Sequence, residues 1–129
     1  FLSEVARPAD CGILLDVNNV YVSARNHGFD AKTYLDAIPV ERVGQFHLAG
    51  HQDRGHLVID THEGQVCDAV WELYRHAVKR FGDVSCLIEW DEGVPELEVL
   101  LAESAKAKTI AEETLRVMPV AASPVELRP

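Results

Sequence analysis

Four short apolar runs in this chain each end in side chains that bind cations. QFHLAG (45–50) carries His47, VIDTH (58–62) carries Asp60 and His62, LIEWD (87–91) carries Glu89, and GILLDVNN (12–19) carries Asp16 followed by Asn18 and Asn19. A charge at the end of a buried strand is costly unless a partner or a metal compensates it. Imidazole and carboxylate together suit iron, manganese or zinc, and the absence of cysteine from the group argues against a structural zinc. In an extended backbone, side chains alternate with period two, which would put Asp60 and His62 on one side and give His47 and His51 a shared face. Glu89 has two oxygens with which to bridge ions, so two or three metals are expected. Side chains converging from the ends of separate strands describe the open end of an α/β barrel.

Each of these residues also has a plainer reading. A single histidine on an apolar strand is more often a hydrogen-bonded core residue than a ligand. It is the coincidence of four strand ends that favours a metal. His51 and His56 lie in a polar loop where solvation alone would account for them. His27 beside Gly28 reads as a turn residue, and His76 as a surface residue in mid-helix. Asp91 and Glu92 read as acidic caps for the helix that follows. Trp71 and Trp90 read as core or pocket wall, and the asparagine pair also suits local backbone hydrogen bonding.

The elements that must position these groups alternate between strand and helix. GILLDV is a nearly continuous apolar run of the kind covered on both faces in a parallel sheet. Loop signals follow at Asn26, His27 and Gly28, and DAKTYLDAI reads as a helix with Asp30 as N-cap and Pro39 beyond its end. VGQFHLAG is a second strand. The polar stretch from His51 to Gly64 reads as a long loop with a very short strand at His56–Ile59, and loops of that length are usually functional. Helical spacing runs from Gln65 to Phe81, closed by Gly82; VSCLIEW is a strand; Pro95 opens a long helix rich in Ala, Leu, Glu and Lys. Such alternation predicts a parallel sheet with right-handed crossovers. Residues 1–118 are too few strands for a closed eight-stranded barrel and read as the C-terminal half of one, FLSEVA reading as the end of a helix that begins upstream. PVAASPVELRP, covering 119–129, reads as a disordered Pro-rich tail.

Composition narrows the function classes. Of 129 residues, 12 are Lys or Arg and 21 Asp or Glu, for a formal charge of −9. That balance argues against nucleic-acid or anionic-membrane binding, both of which rely on clustered positive charge. No apolar run reaches the roughly 18–20 residues of a membrane span, and the first residues lack signal-peptide character. The three cysteines, Cys11, Cys67 and Cys86, fit neither a disulfide framework nor a CxxC zinc site. A reducing cytoplasm is the expected compartment.

LLDVNNVYVSARNHGFD, FHLAGH, VIDTH and IEWD, in this order and at these spacings, closely resemble the DUF692 family, also called UPF0276. This family includes multinuclear non-heme iron-dependent oxidases such as the methanobactin-biosynthesis enzyme. The resemblance covers roughly residues 1 to 115. It implies a TIM barrel of the xylose-isomerase-like type with two or three irons at the C-terminal ends of its strands. By motif, it implies metal ligation by Asp16, His47, Asp60, His62 and Glu89. For the amide ligand, strand alternation would select Asn18, whereas the D-x-x-H pattern of the related endonuclease IV barrels selects Asn19; Asn19 is favoured, with Asn18 supporting it. Endonuclease IV shares the thirteen-residue step from His47 to the Asp60–His62 triplet, but nothing here supplies a basic surface for DNA.

The implied activity is oxidative modification of cysteine in a ribosomal precursor peptide, with a leader-peptide-recognising partner protein as a plausible companion. His51, Asp53 and Arg54, in the loop over the site, are the candidates for substrate contact. Two alternatives stand beside it: a zinc- or manganese-dependent hydrolase or isomerase on the same barrel, or a non-catalytic truncated fragment. Further family ligands, two His and a Glu, belong to the first half of the barrel. An isolated half is therefore expected to expose sheet edges, to associate, and to show weak or no activity.

Overall fold

The computed structural model describes residues 1–117, so the expected tail at 119–129 lies outside the described residues. Helix α1 (Leu2–Ala9) leads through a left-handed Asp10 into strand β1 (Ile13–Asp16). Helix α2 (Val17–His27) starts at the next residue, where the Asp16 carboxylate accepts the Asn19 backbone N–H at 2.8 Å. This corrects the expectation of a loop: Asn26 and His27 close a helix whose left-handed C-cap is Gly28, with φ of 71°. The loop signals were real but marked an end, and the DVNN turn was the missed N-terminal signal.

Helix α3 (Ala31–Asp36) is capped by Asp30 as expected, its carboxylate accepting from the Thr33 N–H at 2.6 Å. A single 3₁₀ turn (Val40–Arg42) then leads into β2 (Val43–Ala49). The long loop holds a small antiparallel pair, β3 (Gln52–Asp53) with β4 (Val58–Ile59). Helix α4 (Asp68–Phe81), β5 (Ser85–Glu89) and α5 (Leu97–Val117) complete the described chain. Helix α5 starts beyond Pro95, too far along for Asp91 and Glu92 to cap it.

Strands β1, β2 and β5 form one parallel sheet in that order. Its helix-facing side is the core: Ile13, Leu15, Phe46 and Leu48 pack against Val70, Trp71, Tyr74, Ala77, Val78 and Phe81 of α4. Phe46 meets Tyr74 edge-on at 5.8 Å, a favoured geometry of aromatic quadrupoles. Trp71 is thus core, while Trp90 is half-buried with its indole N–H on the Glu92 carbonyl. His76 is more than a surface residue, since its Nε2 lies 2.8 Å from Asp36 and ties α4 to α3. The opposite face of the sheet leaves Leu14 and Leu87 about half exposed. A mixed α/β chain with an all-parallel sheet covered on one side is compatible with part of a barrel; no closed barrel forms among the described residues.

Candidate metal centre

The uncovered face carries the chemistry because of register and alternation. Asp16 stands opposite His47, His47 opposite Leu87, and Ala49 opposite Glu89. Asp16, His47 and Glu89 therefore emerge on one face at the C-terminal ends of three adjacent strands, with Glu89 diagonal to His47. The His47 Nδ1 and Glu89 Oε2 atoms are 2.8 Å apart. A carboxylate only accepts, so His47 carries a proton on Nδ1, and in the neutral ring its Nε2 is a lone pair able to bind a cation.

Asp60 and His62 reach the same place by a different route. Residues 60–62 form no strand, and His62 has a left-handed backbone with φ of 50°. The expected geometry was wrong, although the expected convergence occurs. The loop is held by the Asp91 N–H on the His62 carbonyl at 2.8 Å and by a parallel bridge between Glu63 and Glu92. At Gly50, a Cβ would collide with the carbonyl oxygens of Glu63 and Gly64. Only glycine permits that crossing at the end of β2.

His62 then sits among four carboxylates. Its Nε2 lies 3.1 Å from Asp60 and 3.6 Å from Asp16, and its Nδ1 lies 3.3 Å from Glu89 and 3.4 Å from Asp91. Burial works against the imidazolium, but the four acids outweigh it and raise the His62 pKa above its ordinary value. The Asp16 carboxyl is pushed up chiefly by burial, with Asp60 and Glu89 adding to the push against the Asn19 N–H and His62. One donor atom each from Asp16, His62 and Glu89 lie within 4.8 Å of one another, a group able to hold a metal ion. Among the described residues, no Lys or Arg pairs with Asp16, Asp60, Glu89 or Asp91. A site this acidic, with only imidazole to balance it, fits a multivalent cation. Asp91 was missed as a neighbour of the site because it resembled a helix cap; its position one residue past the β5 motif was the available signal.

Both asparagines engage Asp60. Asn18 is fully buried and donates from Nδ2 to Asp60 Oδ1 at 2.5 Å, while the exposed Asn19 donates to Oδ2. His51 leans on Asn18 and on the Tyr21 ring. Asp53 and Arg54 are exposed on the β3–β4 hairpin: Asp53 accepts from the Gly55 N–H and pairs with Arg25 at 3.8 Å, and Arg54 bonds Gln52. His56 is exposed, and His27 ends α2 away from this cluster.

A family model described as the RiPP precursor modification enzyme MbnB/TglH/ChrH matches residues 1–112. The chain belongs to this family. It is 58% identical to a UPF0276 protein of Anaeromyxobacter sp. (strain Fw109-5) over 96% of this chain and 44% of that protein. Against a UPF0276 protein of Acaryochloris marina it is 51% identical, over 84% of this chain and 40% of the other. A UPF0276 protein of Vibrio parahaemolyticus is 50% identical over 85% of this chain and 40% of its own length. The chain thus spans about two-fifths of the length of these UPF0276 relatives. The resemblance read from DVNN, FHLAGH, DTH and IEWD is borne out at the level of family. Among the described residues, no helix is long and apolar enough to cross a membrane.

Proposed function

We propose that the protein, as part of a complete barrel, is a non-heme iron-dependent oxidase that modifies cysteine in ribosomal precursor peptides. The observation that carries this reading is the gathering of Asp16, Asp60, Glu89 and Asp91 around His62 with no Lys or Arg partner among the described residues. Membership of a family of RiPP precursor modification enzymes supplies the substrate class. Asp16, Asn19, His47, Asp60, His62 and Glu89 would hold two or three irons. When bound, iron supplies the redox capacity for O₂-dependent oxidation of a cysteine side chain.

The chain's own residues would bind and orient. The bond from His47 to Glu89 presents Nε2 of His47, and the two asparagines fix both oxygens of Asp60. His51 and, on the hairpin that follows it, Asp53 and Arg54 would contact the peptide. A leader-peptide-recognising protein is the proposed partner, and the cytoplasm the proposed compartment.

Elemental analysis and Mössbauer spectra of anaerobically purified protein test the metal. Two or more irons per chain, lost in His47→Ala, are expected. Zinc or manganese alone, with no O₂ uptake in the presence of cysteine-containing precursor peptides, would overturn the oxidase reading in favour of a hydrolase or isomerase.

A further inference from the structure

Asn18 is fully buried, and both its amide nitrogen and its amide oxygen are engaged by side chains or backbone near the candidate centre. Its Nδ2 donates to the Gly50 carbonyl at 3.2 Å and to Asp60 Oδ1 at 2.5 Å. Both are obligate acceptors, so the nitrogen of the amide must face them and the oxygen must face the other way. That oxygen, Oδ1, lies 2.8 Å from His51 Nδ1. An amide oxygen only accepts, so His51 must carry its proton on Nδ1. In the neutral ring Nε2 is then a lone pair, with no hydrogen-bond partner among the described residues. The tilted Tyr21 ring, 5.1 Å away, holds the imidazole from another side.

We propose that Asn18 is a positioning residue that locks His51 in the Nδ1–H tautomer and so presents Nε2 as an acceptor for a backbone N–H of the peptide substrate. The same amide fixes Asp60, so one side chain couples the substrate-facing loop to the metal centre. The lock itself follows from the hydrogen bonds; the use of Nε2 by a peptide rests on the function proposed above.

Nitrogen-15 NMR of the metal-free protein as expressed reads the His51 tautomer without any substrate. The wild type should show a protonated Nδ1 and an unprotonated Nε2, and Asn18→Ala should lose that single tautomer. Asn18→Asp retains an acceptor for His51 but gives up the donor to Asp60; it should keep the tautomer while binding metal more weakly. An Nε2–H tautomer in the wild type, or an unchanged one in Asn18→Ala, overturns the lock. For the acceptor role, His51→Asn can still meet Asn18 but offers nothing where Nε2 stood. With the variant placed in the complete barrel, it should raise KM for the precursor peptide about 3- to 10-fold, the worth of one hydrogen bond, with kcat and metal content held. His51→Gln, whose amide reaches the Nε2 position, should recover part of the loss. Equal KM in His51→Asn and wild type overturns the acceptor role. A protein that processes no peptide, yet shows the tautomer and its loss in Asn18→Ala, counts against the proposed function and upholds the lock.

Discussion

The His62 imidazole lies 3.1 Å from the Asp60 carboxylate two residues before it, and it does so from a left-handed backbone with φ of 50°. A side chain bearing a Cβ in that region costs about 1–2 kcal/mol relative to an ordinary conformation. The strain is tolerated because the Asp91 N–H and the Glu63–Glu92 bridge hold the loop on both sides.

The strain at His62 and its proposed metal role separate in two variants. His62→Ala and His62→Gly both remove the imidazole, and both should lose bound metal. Glycine also removes the conformational cost, partly offset by its own chain entropy. In urea denaturation of the metal-free proteins, His62→Gly should be the more stable by about 1 kcal/mol; equal stabilities would mean the backbone there is not strained.

Gly50 should tolerate no side chain. In Gly50→Ala the new methyl meets the Glu63 and Gly64 carbonyl oxygens, and the backbone that accepts from Asn18 must shift with it. We expect a loss of about 1–3 kcal/mol, the usual cost of overpacking, together with lower metal retention. Gly44, where a Cβ meets open space, is the control. Matching stability and metal content in the two alanine variants would refute the close crossing.

Metal and protons should compete at His62 and Asp16. Both have folded pKa values raised above their ordinary ones, so at these two groups the metal-free folded state holds more protons than the unfolded chain. Their contribution to stability should therefore be full on the acid side and fall as pH rises from about 6.5 through the raised His62 pKa, whereas His51, whose pKa burial holds low, contributes the opposite slope below about 6.5. Metal binding requires these groups deprotonated, so the metal-loaded protein should gain stability over the same rise. Denaturant midpoints with and without chelator between pH 5 and pH 8 check both slopes, and parallel slopes would contradict the assignment.

The cysteines of this chain should differ sharply in reactivity. Burial pushes the Cys86 thiol up to about 11, the Tyr74 hydroxyl offsetting it only in part, whereas Cys11 is exposed. Iodoacetamide at pH 8 should label Cys11 at least ten times faster than Cys86, since only thiolate reacts appreciably. Comparable rates by peptide mass spectrometry would show that the β5–α5 layer opens readily.

Strand identity and the ligand types were legible in the sequence because period-two alternation and apolar runs are local. ILLD, QFHLA and SCLIE are strands, and Asp16, His47 and Glu89 end on one face as alternation requires. The helix after Asp16 was not legible, because its start depends on an Asp16-to-Asn19 cap that the asparagine pair disguises as a turn. His76 was read as a surface group because its partner, Asp36, is forty residues away in sequence.

By itself, then, the sequence determined the family, the alternating strand–helix order, and a set of side chains of the types that can bind cations. The tertiary structure decided how those side chains meet. Strand register set Asp16 beside His47, a glycine crossing at Gly50 brought the Asp60–His62 segment over the end of β2, and the buried amide of Asn18 tied that segment to His51. Period and propensity act over a few residues of chain, whereas register, close backbone approach and buried hydrogen bonds join residues far apart in it, and no local pattern specifies them.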